Sequence, residues 1–485
     1  MNIEIKKPYV GAQGITISEK DSKEAIIMVP HPSKNTSPIP PELYSEHSRK
    51  RAEKLKEMAK TPEEQVLGGF NKRYAIVRTS TTYILVEKKG ESFVLDSRRS
   101  FIQFHENDFF TNSLGKQEGK AMFWLRHPGR RTYENIVFDP ITPGDHDGCY
   151  NIFKGFAVEP AEGDCQLYWQ HVKEIICGGN SEHYRYVRKW MASVIQNPAD
   201  LATALVLRGL QGTGKNTFVD HFGALFGRYF LTVTSMEHVC GKFNNHLKEA
   251  YLIHANEALW GGSKKEVGAL KALITDRIIM IEGKGKDAIP IANCRHLIVS
   301  SNEDWAVPMD LDDRRFFPLD VRDFRKEDTQ YFAAIYKQMC EQRGREALLY
   351  DLLHEDLSDF DPRKMPLNDS GFDMKMKSAT TVVKFIYEAL KEGRYNLALT
   401  DPNGAWEPCP SERLHYCYKE WCKNEGLRHE AHSEFGRQLQ KLLKVQKCRR
   451  SVQGNRQWWY ELAPLGECRK TFEAFTKQTG AIWES

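Results

Sequence analysis

The stretch that most constrains this 485-residue chain runs from Leu205 to Phe218 and reads LVLRGLQGTGKNTF. A short apolar run, Leu205-Val206-Leu207, leads into a glycine-rich turn that closes on Lys215. Phe218, Phe222, Leu225 and Phe226 then recur at i, i+4, i+7 and i+8, one face of a helix. Gly209, Gly212 and Gly214 permit positive φ and close approach to a ligand. Consecutive N–H groups then point into one concave anion site, backed by the positive end of the helix. Lys215 reaches the β- and γ-phosphates as a point charge. Gly209 to Lys215 fits G-x-x-x-x-G-K, an ATP-binding loop that also contains Thr213. Asn216 stands where Ser or Thr usually serves Mg²⁺, with Thr217 one place later. The Asn216 carbonyl oxygen or the Thr217 hydroxyl is then the candidate metal ligand beside the nucleotide.

Length suggests about three domains. An apolar share of 41% with 11% aromatics supports sizeable cores. Net charge is only +4, so any nucleic-acid contact must come from local patches. No apolar run approaches the ~18 residues of a membrane span, and the amino terminus MNIEIKKPYV lacks a signal-peptide core. The expected setting is the cytoplasm, away from membranes. Eleven cysteines, odd in number and scattered, read as reduced thiols. Cys165, His171, Cys177 and His183 recur every six residues, a spacing that falls on no single helix face and does not suit zinc. Cys417, Cys422, His429 and His432 are equally off-pattern. Both groups read as buried thiols and surface histidines.

Residues 1–60 read as a polar, basic tail with a proline-rich linker (HPSKNTSPIPP), and residues 43–66 as a charged helix. Short β-prone runs at 74–77, 82–86 and 92–95, with 121–125 and 135–138 as further candidates, predict a small β-rich or α+β domain over 61–150. Residues 151–200 form a helical lead-in. Residues 201–325 carry apolar runs alternating with helical segments, the pattern of parallel strands buried on both faces in a three-layer α/β core. The run 250–255 ends in Asn256-Glu257. An acid at the carboxyl end of a sheet strand, beside a phosphate loop, can polarise the attacking water, so Glu257 is the candidate base and Asn256 a candidate in the Mg²⁺ shell. The run 296–300 ends in Ser301-Asn302, and Asn302 is placed to bond the γ-phosphate or the lytic water. Arg314 and Arg315 precede the apolar run 316–319. One of them is expected to meet a neighbouring subunit's nucleotide, with Arg315 the first choice, and the other to pair with Asp312 or Asp313. Between these runs, two apolar arms flank a glycine-rich tip bearing Lys284 and Lys286, a β-hairpin suited to sequence-blind phosphate contact.

The motif order GLQGTGKNT, LIHANEA, LKALITD…IIMIEGKGK, HLIVSSNED, DDRRFF resembles the superfamily 3 helicases of the AAA+ class. Within them it is similar to the helicase portions of phage and mobile-element primase-helicases. The likeness runs from about Asn151 to Asp320 and includes YNIFKGFAVEP and KWMASVIQNP. It implies an AAA+-type P-loop ATPase core, ATP and Mg²⁺ as cofactors, a homo-oligomeric ring (usually a hexamer), and DNA translocation by pore hairpins. The sequence departs from the family pattern at Asn216 and Asn256. Residues 1–150 show no clear acidic primase motif, so primer synthesis is not expected, and a primase or polymerase is a candidate replication partner.

Residues 326–375 read as a helical linker and 376–485 as a winged-helix domain, three helices followed by a hairpin. Arg437, Lys441, Arg449, Arg450 and Arg456 are candidate DNA contacts, interleaved with Trp458 and Trp459. Two functions fit: a replicative helicase moving on single-stranded DNA, or an origin-binding ATPase that assembles on duplex DNA without unwinding it.

Overall fold

The computed structural model describes residues 60–483 apart from short segments at 79–81, 88–92, 143, 258–263, 285–287, 304–305, 367, 399–404, 453–454 and 477–479. The linker from His31 to Pro41, most of the charged helix expected at 43–66, and Lys286 lie outside the described residues. The first helix, α1 (Pro62–Asn71), opens with a reciprocal cap: Thr61 accepts from the Glu64 amide, and the Glu64 carboxylate accepts from the Thr61 amide. There follow β1 (Tyr74–Arg78), β2 (Thr82–Val86), β3 (Val94–Asp96), α2 (Arg98–Phe104), β4 (Phe109–Thr111), β5 (Gln117–Gly119), α3 (Lys120–Arg126), β6 (Thr132–Tyr133), β7 (Asn135–Val137) and β8 (Cys149–Asn151). Four of them form the sheet β3-β2-β1-β6. The run 121–125, a further candidate strand, is helix α3. Ala121, Trp124 and Leu125 are buried at i, i+3 and i+4, and Trp124 packs with Val66, Phe70, Tyr74 and Phe101. Five apolar residues fit either period, and packing onto α1 decided between them.

Next come α4 (Gln166–His171), running into a π-helical turn at Val172–Ile176, then α5 (Ser181–Gln196), β9 (Ala204–Arg208), α6 (Lys215–Ala224), β10 (Phe230–Val233), α7 (Met236–Cys240), β11 (Leu252–Asn256), α8 (Lys264–Thr275), β12 (Ile278–Ile281), β13 (Ile289–Ala292), β14 (His296–Ser301), β15 (Phe316–Asp320), α9 (Thr329–Glu341) and α10 (Gly344–His354). Five strands form one parallel sheet, β10-β11-β14-β9-β15. Its residues alternate between two cores. Leu205, Leu207 and Phe317 face α4, α5, α6 and α10, whereas Ala204, Val206 and Phe316 face α7 and α8. Both faces are covered, which explains the near-continuous apolar runs. Ala347, Leu348, Leu349 and Leu352 of α10 share the core of β9, so through residue 354 the stretch drawn as a linker belongs to this layer. His171, expected at the surface, is fully buried between α4, the glycine loop and α9. β12 and β13 pair as the expected hairpin outside the main sheet.

The chain ends with α11 (Asp369–Ser378), α12 (Thr381–Glu392), β16 (Cys409–Pro410), α13 (Ser411–Asn424), α14 (His432–Leu443), β17 (Gln446–Val452), β18 (Asn455–Glu461) and α15 (Leu465–Thr476) around one core. The three helices and the hairpin fall where the periodicity put them. Strand β16, too short to show a period, adds to β18, and α15 closes the core. No described helix is long and apolar enough to cross a membrane.

Candidate active site

The parallel strands end along one edge of the sheet, where ligands of open α/β sheets collect. The loop after the fourth strand in the row, β9, turns through Gly212 (φ 80°) and Gly214 (φ 95°), conformations that an L side chain rarely adopts. Lys215 begins α6 and is only 6% exposed. Its Nζ donates to the carbonyls of Gly209 (2.5 Å) and Leu210 (2.9 Å) and to Asn302 Oδ1 (2.8 Å). Asn302 follows β14 and donates through Nδ2 to Glu257 Oε1 at 2.8 Å. Glu257 follows β11 with φ 51°, held there by its amide bond to the Ser300 carbonyl. β14 lies between β9 and β11, so three segments distant in sequence form one polar chain, Lys215–Asn302–Glu257. Burial lowers the Lys215 ammonium below its ordinary pKa, and the Glu257 carboxylate pulls the other way.

These groups line a cleft of about 280 Å³ together with Gln211, Gly212, Thr213, Gly214, Asn216, Thr217 and Phe332. Thr213 is buried and donates to the Leu210 carbonyl, so it braces the loop. Gly209 is pressed against the residue that follows β15: a Cβ there would lie 3.0 Å from the Val321 carbonyl oxygen. Asn256 is half-buried and not part of the cleft lining, whereas Asn216 and Thr217 are. Among the described residues, no three His, Cys, Asp or Glu side chains are grouped to hold a metal by themselves.

Arg314 and Arg315 lie before β15, at the opposite edge of the sheet from the cleft. A five-residue strand separates those edges by about 15 Å. Arg315 is tied down: its amide donates to Asp313 Oδ1 at 2.9 Å, and its guanidinium stands 3.6 Å from the same carboxylate. Arg314 is exposed and has no ion pair among the described residues.

Three residues of the site had escaped the reading of the sequence. Arg208 ends β9 and pairs with Asp320 (2.7 Å) and Asp373 (2.9 Å), fixing the strand from which the loop departs. His171 and Phe332 come from α4 and α9. The π-helical turn after His171 is a known mark of functional segments, but it is not visible in a sequence.

The carboxyl-terminal hairpin sorts its basic residues by face. Arg449 is opposite Trp458, and Ser451 opposite Arg456. Lys447 and Arg449 flank the 45%-exposed Trp458 ring at 5.3 and 4.8 Å. On the other face, Arg450 pairs with Glu461 and stacks on Trp459 at 4.8 Å. On α14, Arg437 is bidentate to Glu434 at 2.9 and 2.6 Å, and Lys441 is exposed. Lys284 is exposed at the start of the other hairpin tip, and Ile278, Met280 and Ile289 on its arms are exposed too.

Residues 207–315 match a family of unknown function, DUF5906, and residues 377–461 match the poxvirus D5 protein-like family. The DNA primase-polymerase of Nitratiruptor phage NrS-1 is 27% identical over 153 residues, which are 31% of this chain and 21% of that protein. The apo C-terminal region of NrS-1 has a similar fold, with a TM-score of 0.60 at 16% identity over 83% of this chain and 100% of that one. Its A form gives the same TM-score over 82% and 99%. The chain is similar to phage proteins of the primase-helicase type. Its fold is the mixed α/β architecture of that C-terminal region.

Proposed function

We propose that this chain is an ATP-driven DNA motor of the superfamily 3, AAA+ type, acting in phage or mobile-element replication. The observation that carries this reading is the Lys215–Asn302–Glu257 chain on one cleft. The glycine loop supplies amides and Lys215 a buried charge for the triphosphate. Phosphate oxygens carry more charge than the two carbonyls that Lys215 contacts, so the ammonium can exchange one set for the other. Glu257 stands across the cleft as the base that takes a proton from water, and Asn302 fixes its carboxylate. Thr217 and Asn216 are the cleft residues suited to a Mg²⁺ ion, which would neutralise the phosphates during transfer. The strand order, with β14 between the loop strand and the acid-bearing strand, supports the AAA+ assignment.

Arg314 cannot reach the cleft of its own chain across the sheet, so the reading requires a ring in which it completes a neighbour's site. Arg314→Ala should lower turnover roughly 10³-fold while ATP still binds. Mixing it with Glu257→Gln subunits should restore activity, because one variant supplies the arginine and the other the base. If the mixture stays as inactive as its parts, Arg314 does not act between subunits.

The carboxyl-terminal unit, three helices and a basic hairpin, is the winged helix of this reading. Lys447, Arg449 and Arg456 form its acid-free face around Trp458, which suits base stacking flanked by phosphate contacts. Trp458→Ala should weaken single-stranded DNA binding about tenfold in fluorescence anisotropy, since one stacked base contributes ~1–3 kcal/mol. An unchanged affinity removes this face from the DNA path. Lys284 and Lys286 remain the candidates for the pore. The function itself is tested by steady-state ATPase with single-stranded or duplex DNA, followed by strand displacement on a fork. Stimulation by single strands supports the motor. Stimulation by duplex alone, without displacement, supports an initiator instead.

A further inference from the structure

His171 does not line the cleft itself, yet it is wholly buried against the glycine loop. Its Nε2 lies 3.0 Å from the Gly214 carbonyl oxygen and its Nδ1 lies 3.1 Å from the Tyr331 hydroxyl. Burial pulls its pKa down to about 4, so the ring is neutral near pH 7. A carbonyl oxygen only accepts, so Nε2 carries the proton. The neutral ring then has Nδ1 as acceptor, and the Tyr331 hydroxyl must donate to it. The tautomer and the direction of both hydrogen bonds follow from the contacts alone.

The Gly214 carbonyl also accepts from the Phe218 amide at 3.2 Å, the first bond of α6. Both of its lone pairs are therefore engaged. In a trans peptide the carbonyl and the following N–H point in opposite directions. A Gly214 oxygen anchored away from the cleft thus turns the Lys215 N–H toward the anion position. A flip of this peptide would bring the oxygen around instead and set its negative end against phosphate. Glycine makes such a flip sterically easy. The wall behind the loop is tight: a Cβ on Gly214 would lie 2.5 Å from His171 Cε1 and 2.8 Å from Phe332 Cε1.

We propose that His171 is a positioning residue for nucleotide binding, which holds the Gly214 peptide with its carbonyl turned from the cleft and, through Tyr331, ties the glycine loop to α9. This rests on the nucleotide reading of the cleft. It also accounts for the one histidine of the six-residue series that packing alone leaves unexplained: an apolar ring would fill the same space without the two polar bonds.

The test compares wild type, His171→Phe, His171→Gln and Tyr331→Phe for ATP KM and kcat, for inhibition by inorganic tripolyphosphate, and for melting temperature. Phe keeps the ring and removes the donor, whereas Gln restores one N–H at similar reach. His171→Phe should raise the ATP KM and the tripolyphosphate inhibition constant about fivefold, the scale of one hydrogen bond, with kcat changed less than twofold. His171→Gln should recover most of that loss, and Tyr331→Phe should move both constants the same way by a smaller factor. A wild-type KM in His171→Phe, or a lowered melting temperature as its sole effect, overturns the proposal. If His171→Phe does not fold, Tyr331→Phe decides, and wild-type constants there overturn it as well. If wild type binds neither ATP nor tripolyphosphate, the nucleotide reading itself falls. If wild type binds both and Lys215→Ala does not, that reading stands whatever the His171 result.

Discussion

Lys215→Ala is expected to abolish ATP hydrolysis and to weaken nucleotide binding more than a hundredfold. Lys215 is 6% exposed, and its ammonium is held by two loop carbonyls and Asn302. It therefore meets phosphate with little side-chain freedom left to lose. Its removal takes away the one fixed positive charge among the described residues lining the cleft. Single electrostatic contacts of this type account for about 10²–10³ in rate, and here both binding and turnover draw on the same charge. Fluorescent-nucleotide titration and steady-state ATPase are the measurements. Binding within threefold of wild type would place the triphosphate elsewhere.

Glu257→Gln is expected to bind ATP normally and to lose roughly 10⁴ in turnover, the upper range for removal of a general base. The swap is nearly isosteric, and Asn302 Nδ2 still finds an acceptor in the glutamine carbonyl. The polar chain to Lys215 therefore survives. Only the ability to take a proton disappears. A single-turnover assay with pre-bound ATP separates the two effects: binding stays intact and the chemical step stalls. Normal turnover in this variant would show that another group is the base. The left-handed backbone at Glu257 (φ 51°) sharpens the expectation. Strain at a non-glycine residue persists only where the surroundings enforce it, here through the amide bond to Ser300 that aims the side chain into the cleft.

The residues that sequence reading located share one property: their chemistry depends on neighbours within a few positions. The glycine loop needs left-handed φ at set spacings and a helix start immediately after it, and both are written in Gly209–Phe218. Glu257 and Asn302 were singled out because each lies just past a buried apolar run, at the edge of the sheet where the cleft opens. The carboxyl-terminal helices showed their period directly. Failures occurred where a local pattern fitted two structures, as at Ala121–Leu125, whose burial against α1 selected the helix.

Tertiary structure alone decided the rest, because those contacts join residues far apart in the chain. His171 is 43 residues from Gly214 and 160 from Tyr331, so its six-residue spacing to cysteines carried no sign of the loop it supports. Arg208 finds its two acids 112 and 165 residues away. Arg314 and Arg315 are chemically alike and adjacent; only the placement of the Asp313 carboxylate ties down one and leaves the other exposed. On the last hairpin, strand register puts Arg450 beside Glu461 and leaves Arg449 on Trp458. Local sequence determines which backbone conformations and which side-chain chemistry are present. The fold determines which charges are cancelled, because cancellation requires two side chains to meet within a few ångströms.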